Sequence, residues 1–217
     1  MRGVAFLILF SGQLLAPLWG GTVATSLSAD PPASALLAFA PLTGDGNNAW
    51  KRTHDEIAGE RRDLGQRFSV QEAGQTLDKL VLHLSTIGEA IGEGAGGAPF
   101  TVRLVRFVPP SSVEPAAEPV LAASGTLPEV LVPGHYLVLD LPDVELEARV
   151  QYGFEIAFDA PEPGRTVNLS ATGKAEYPQG RLYFHTNLPE AGKMEYRLKG
   201  GNLVFYLVLR PGTHYFQ

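Results

Sequence analysis

The amino-acid sequence predicts an all-β protein, an antiparallel β-sandwich of jelly-roll-like type with about nine or ten strands. Three observations favour this fold class. Hydrophobic residues recur with a period of two, turn residues punctuate the chain at regular intervals, and no long stretch has the period of an amphipathic helix. The 217 residues include 24 glycines and 17 prolines, but 45% are hydrophobic, so the chain can bury a core between its turns.

The N-terminal residues predict export. Arg2 is followed by an apolar run from Val4 to Trp19, which is shorter than the roughly 20 residues of a membrane span and typical of a secretory signal peptide. We expect cleavage after Ala24, with Ala29 as a second choice, and a secreted or periplasmic protein without stable membrane insertion. The predicted boundaries are 1–24 for the signal peptide, 25–49 for a leading segment and 50–217 for a single sandwich domain.

Strand candidates follow one another along the chain. The clearest lies between Val144 and Phe158, where every even position is apolar and most odd positions are polar. A turn is expected near 147–149, because this stretch is longer than a usual strand. One short helix is predicted over 54–61, with Thr53 as its N-cap. The other predicted strands are rich in Val, Leu, Phe, Tyr and Thr, and they cover 64–70, 77–85, 100–108, 120–124, 136–141, 166–171, 181–186 and 203–209.

Composition and missing motifs exclude several functional classes. The chain has no cysteine, which excludes disulfides, a thiol nucleophile and cysteine-ligated metals. Its 17 basic and 23 acidic side chains give a net charge of −6, which argues against a nucleic-acid partner. The glycine-rich run 87–97 lacks the lysine and helix of a phosphate loop, and no Gly-x-Ser-x-Gly motif marks a serine hydrolase. No cofactor is therefore expected, except that a structural calcium ion is possible.

One short segment suggests where such a calcium ion would bind. Asp45 and Asn47 offer oxygen ligands, and Glu56 follows at the distance that separates the first and last ligands of a calcium loop. The match is incomplete, because Ala49 and Trp50 stand where that loop needs an oxygen ligand and a glycine. The sequence Asp-Gly-Asn-Asn is also a turn signal by itself.

Aromatic residues near predicted strand ends are the first candidates for ligand binding. Such rings can stack on sugars while their polar atoms face water. We predict that Trp50, Tyr177 and Tyr183 bind a ligand together with the guanidinium group of Arg181. The alternative is that the aromatic residues cover the open ends of the core. The full set of aromatic candidates is Trp50, Tyr177, Tyr183, Tyr196 and Tyr215.

Acidic residues suggest a different class of function. A hydrolase of glycosidic bonds would use two carboxylates about 5 to 10 Å apart in a concave groove. Alternation instead places the acidic strip on the wet face of a strand, where it discourages edge-to-edge association. The strip consists of Asp140, Asp143, Glu145 and Glu147. The five histidines are scattered and receive no role: His54, His83, His135, His185 and His214.

Several short segments occur in an order that resembles a known group of proteins. They are 62–70, 77–82, 100–104, 125–128, 137–144, 152–154, 177–183 and 202–205. The group consists of exported bacterial β-sandwich domains of the kind found in PEP-CTERM or choice-of-anchor surface proteins. The resemblance implies a jelly-roll-like sandwich outside the cytoplasm and supplies no catalytic residues. Anchored members carry an apolar helix and a basic tail, which this sequence does not show before Gln217.

These observations together predict a non-catalytic, exported β-sandwich protein that binds an extracellular polysaccharide or a surface protein. One alternative is a carbohydrate-active hydrolase that uses a carboxylate pair. Another is a structural or assembly protein of the cell surface, which would show an exposed apolar patch or an unpaired edge strand.

Overall fold

The computed structural model describes residues 20–33, 37–39, 46–52, 61–87, 91–92, 94–159, 165–172, 180–187 and 193–211. Within these ranges all regular structure is β, which confirms the predicted fold class. None of the described residues belongs to a helix that could cross a membrane. The strands are β1 (Gly20–Ser28), β2 (Leu37–Phe39), β3 (Gly46–Arg52), β4 (Arg61–Phe68), β5 (Gln75–His83), β6 (Pro99–Arg106), β7 (Leu121–Thr126), β8 (Tyr136–Leu146), β9 (Tyr152–Phe158), β10 (Arg165–Thr172), β11 (Leu182–Thr186), β12 (Glu195–Leu198), β13 (Asn202–Leu203) and β14 (Phe205–Pro211).

The strands form two sheets that share β1. Sheet A has the order β13-β10-β3-β4-β9-β6-β7-β1, with β11 also paired to β4 and β12 paired to β11. Sheet B has the order β1-β8-β5-β14-β2. The pairs are antiparallel except for β1 and β7, which run parallel.

The chain crosses from one sheet to the other at two places. In β1, Gly20–Val23 pair with β7 in sheet A and Ala24–Ser28 pair with β8 in sheet B. At the other edge, β13 pairs with β10 in sheet A, and β14 continues from it to pair with β5 in sheet B. Val204 is the crossing point, since its N–H donates to Ser170 and its carbonyl accepts from the His83 N–H. The two crossings close the sandwich along both edges.

The first crossing strand spans the predicted cleavage position after Ala24. Val23 is buried in the core, and Gly21 lies against Pro142 without room for a side chain. A mature chain that begins at residue 25 would therefore lack the half of β1 that pairs with β7.

The inner faces of the two sheets enclose one apolar core. The apolar positions of the alternation that predicts β9 form the inner face of this strand. They are all buried: Tyr152, Phe154, Ile156 and Phe158. The indole of Trp50 stacks on the Phe158 ring with centroids 4.1 Å apart. Burying each such side chain fully stabilises the fold by about 1.5 to 3 kcal/mol relative to exposing it.

Local predictions meet different outcomes. The segment 144–158 divides as expected, because β8 ends at Leu146 and Arg149 adopts a positive φ of 63° in the turn before β9. The turn predicted at Asp-Gly-Asn-Asn is wrong, because Asn47 lies inside β3 and pairs with Ser170. The predicted helix over 54–61 falls outside the described residues except for its last residue, Arg61, which begins β4.

The outer face of each sheet carries a second, smaller apolar cluster. The outer A cluster consists of Val105, Phe107 and Tyr183, with Tyr196 and Leu198 packed against it. The outer B cluster consists of Val81, Tyr136, Val204 and Tyr206, with Val138 and Val208 packed against it. These clusters bury side chains that strict alternation would leave in water, and the polar groups of interest lie beside them.

Candidate functional site

Two of the predicted ligand-binding aromatic residues are core residues. Trp50 and Tyr183 are both 0% exposed, so neither ring can meet a sugar at the surface. Trp50 stacks within the inner core, while Tyr183 lies at the centre of the outer A cluster. The prediction that these two residues bind a ligand at the surface is therefore wrong.

Tyr183 lies flat across glycines of two neighbouring strands. A Cβ atom added at Gly65 would stand 2.1 Å from the ring Cζ, and one added at Gly153 would stand 3.1 Å from the same ring. The hydroxyl donates to the carbonyl of Phe154 at 3.1 Å. Glycine inside a strand commonly marks such a close approach. Gly65 and Gly153 thus create the space that Tyr183 fills.

The other predicted site residues have mixed outcomes. Tyr177 and Asp45 lie outside the described residues, and of Asn47 only the backbone is described. Arg181 is exposed and lines a cleft of about 330 Å³ beside the outer A cluster. The described lining contains no acidic side chain and consists of Arg67, Pro110, Ser111, Gln151, Gly180, Arg181 and Leu198.

Arg67 fixes one wall of this cleft. Its guanidinium group donates to the carbonyls of Pro110, Ser112 and Val113, and it lies 3.8 Å over the Phe107 ring. Burial lowers the pKa of Arg67, and the neighbouring charge of Arg181 lowers it further. Both cations line the same cleft, and an anion bound there would reduce their mutual repulsion.

A separate group of polar side chains lies on the outer face of sheet A. Asp63 on β4, Glu155 on β9 and His185 on β11 bring one ligand atom each within 4.8 Å of one another. Both carboxylate side chains are 1% exposed and the imidazole is 20% exposed. Glu155 is one of the polar odd positions in the segment 144–158, and it is nevertheless buried, because His185 and Tyr196 of the hairpin of β11 and β12 lie against it.

Cations and a phenol surround this group. The guanidinium of Arg61 binds both carboxylate oxygens of Asp63 at 2.8 and 2.9 Å, and Arg103 lies 3.5 Å from Glu155 Oε1. The Tyr196 ring stacks on the His185 ring with centroids 4.2 Å apart, and its hydroxyl is directed to Glu155.

Burial dominates the electrostatics of the group. It raises the pKa of Glu155 to about 7, with the charge of Asp63 adding to the effect. It lowers the pKa of His185 to about 4, with Arg61 and Arg103 as further causes. It also raises the pKa of Tyr196. At neutral pH the imidazole is therefore uncharged and its nitrogens are available as ligands.

The acidic strip on β8 behaves as a solvated strand face. Asp140 pairs with Lys79, Asp143 with Arg210, and Glu147 with Arg106, and all three carboxylates are at least half exposed. Such surface pairs contribute about 0 to 1 kcal/mol each. Two pairs of described carboxylates lie close together. Asp63 and Glu155 are too buried to reach a sugar, and Asp78 and Asp143 share the guanidinium group of Arg210. Neither pair lines the described cleft, so the hydrolase alternative gains no support.

Sequence reasoning missed the group of Asp63, Glu155 and His185 because their spacing follows no motif. The three residues lie on strands far apart in the chain, and register alone brings them together. The available signal was the pair of mid-strand glycines, Gly65 and Gly153, each two residues from one of the carboxylates.

Comparisons with known proteins add little. No family model matches the chain, and no curated protein matches it. One similar solved structure contains the cysteine protease and lectin-like domains of Cwp84, a surface layer associated protein of Clostridium difficile. It is 12% identical, with a TM-score of 0.44, over 76% of this chain and 36% of that one. The chain thus spans little more than a third of that structure's length.

Proposed function

We propose that this protein is a non-catalytic, exported β-sandwich whose cleft binds an acidic glycan of the cell surface. The observation that carries the proposal is that two cations, Arg181 and Arg67, line the same cleft, and that the described lining contains no carboxylate to neutralise them. Carboxylate and sulfate groups are the natural partners of guanidinium, because its planar fork matches their oxygen atoms.

The two arginines have different roles in this proposal. Arg67 is buried and bound to three carbonyls, so it contributes charge and holds the 110–113 segment in place. Arg181 is exposed and is the group that meets the ligand. The rim is completed by Gln151 and Leu198, which offer polar and apolar contacts to a sugar ring.

A matched pair of polymers tests the proposal. Native affinity electrophoresis should show retardation of the protein in gels that contain dextran sulfate or polygalacturonate, and none in gels that contain dextran. Arg181→Ala should weaken the retardation by at least tenfold, because losing a charge-assisted hydrogen bond costs about 1.5 to 3 kcal/mol.

The control variant is Arg197→Ala. Arg197 is also exposed, lies on the neighbouring hairpin and pairs with Glu195, away from the cleft lining. The variant Arg197→Ala removes the same charge from the protein as Arg181→Ala does, and it should leave the retardation unchanged. Equal loss in both variants would show that only net charge matters, and absence of retardation by both acidic polymers would overturn the proposal.

A further inference from the structure

We propose that Asp63, Glu155 and His185 form a binding site for a single zinc ion on the outer face of sheet A. The inference does not rest on the glycan proposal, since none of the three residues lines the cleft. It rests on the arrangement of the ligand atoms and on two buried polar atoms that have no partner.

The distances between the ligand atoms suit coordination better than hydrogen bonding. His185 Nδ1 lies 3.7 Å from Asp63 Oδ2 and 3.8 Å from Glu155 Oε1. Hydrogen bonds of this kind are about 2.7 to 3.2 Å long. Ligands bound to one zinc ion at about 2.0 to 2.2 Å lie roughly 3 to 3.6 Å from each other. The three ligand atoms all lie within 4.8 Å of one another, so side-chain movements of about 1 Å would place them around one ion.

Two atoms in the group are buried and without a hydrogen-bond partner among the described residues. They are Nδ1 of His185 and Oε2 of Glu155. Leaving such an atom unpaired costs about 1 to 3 kcal/mol, and an unseen ion is one of the few explanations. Both belong to the same trio, and the Glu155 side chain is 1% exposed. One bound ion would supply the partner that His185 Nδ1 and the Glu155 carboxylate need.

The surrounding groups act as an outer layer that orients the ligands. Arg61 holds Asp63, and Tyr196 packs flat on the His185 ring. Hydrogen-bonded carboxylates and fixed imidazoles are usual around metal sites. An ion can enter beside the exposed fifth of the His185 side chain.

Arg103 is the competitor for this site. Its guanidinium balances the charge of Glu155 from 3.5 Å, but 40% of its side chain is exposed, so it can turn towards water when an ion binds. Two carboxylates with one imidazole favour zinc over calcium or magnesium, which prefer larger sets of oxygen ligands.

Isothermal titration of the chelator-stripped full chain with zinc chloride tests the site. We expect one zinc ion per chain, much weaker binding of calcium and magnesium, and at least tenfold weaker zinc binding by His185→Gln and by Glu155→Gln. Arg103→Met should bind zinc more tightly than the wild type, because the competing cation is gone. If the three residues formed only ion pairs and bound no metal, Arg103→Met would not bind zinc more tightly than the wild type.

The matched control is His83→Gln, which removes a half-buried histidine whose two ring nitrogens both have partners. It should bind zinc as the wild type does. Urea unfolding of each metal-free variant establishes that the variant is folded. If His185→Gln does not fold, Arg103→Met still tests the site. Two results would overturn the proposal. One is equal zinc binding by the wild type, His185→Gln and Glu155→Gln. The other is failure of the wild type to bind zinc at a concentration of about 0.1 mM, which already corresponds to weak affinity.

Discussion

The outer faces of the two sheets each hold one half-buried histidine beside a tyrosine, but the two histidines differ in their partners. On sheet B, His83 bonds Ser170 Oγ at 2.8 Å through Nδ1 and the Gly134 carbonyl at 3.1 Å through Nε2. On sheet A, His185 points Nδ1 between two carboxylates without a hydrogen bond. The His83 ring is therefore explained by the fold, whereas the His185 ring is not.

This difference separates structural polar groups from candidates for function. A buried donor or acceptor that is fully paired stabilises one conformation and needs no ligand. A buried donor or acceptor without a partner destabilises the native state, so its presence needs another explanation, such as a bound ligand or ion. The outer A cluster also differs in depth, because Tyr183 is fully buried whereas Tyr206 of the outer B cluster keeps 7% exposure.

The largest expected loss of stability comes from a substitution that disrupts the outer A cluster. Tyr183→Ala should lower the free energy of unfolding by about 3 to 5 kcal/mol, as for a buried aromatic residue of an inner core. Tyr206→Ala should cost less, because its cluster is more open. Tyr183→Phe keeps the packing and should cost about 1 kcal/mol for the lost hydrogen bond to Phe154. Urea unfolding measures all three, and a smaller loss for Tyr183→Ala than for Tyr206→Ala would contradict this ranking.

A smaller effect tests the glycine beneath the ring. Gly65→Ala should destabilise the protein by about 2 to 3 kcal/mol, because the added methyl group would overlap the fully buried ring of Tyr183. Gly200→Ala is the control, since nothing lies within 4 Å of a Cβ atom there. Thermal unfolding compares the two. Similar melting temperatures for Gly65→Ala and Gly200→Ala would mean that Tyr183 is loosely held.

The smallest effect concerns His83 and pH. Burial lowers the pKa of His83, so the unfolded chain takes up a proton more readily than the folded one. The stability that the neutral ring contributes is therefore present at pH 7 and above, and it is lost as the pH falls through about 6.5. The stability difference between wild type and His83→Gln should shrink from pH 7 to pH 5. A difference that stays constant would show that the ring is protonated equally in both states.

The sequence is sufficient for most of the sheet framework. Alternation from Val144 to Phe158 correctly predicts the inner face of β9 and the turn at Arg149. It does not show that Glu155 is buried, because a period of two carries no information about side chains of the neighbouring hairpin, such as Tyr196, that lie against the outer face. It also misses β1, because the small residues of GGTVATSLS resemble the end of a signal peptide, and only the assembled sheets show that this segment pairs with β7 and β8.

The candidate sites were harder to predict than the sheets. Arg181 is exposed and lines the cleft, but aromatic character alone could not distinguish a surface platform from a core residue such as Trp50 or Tyr183. The polar trio depends on the register among β4, β9 and β11, and that register is a property of the assembled sheet.

The two crossing strands have a consequence for biosynthesis. They are the first and the last strands that the structure describes, so the sandwich cannot close along its second edge until β14 is available. A ribosome adds about 5 to 20 residues per second from the N-terminus, so the nascent chain waits seconds with its inner faces open. For a protein that we propose to be exported, late closure of the sandwich would favour passage through a membrane pore before folding is complete.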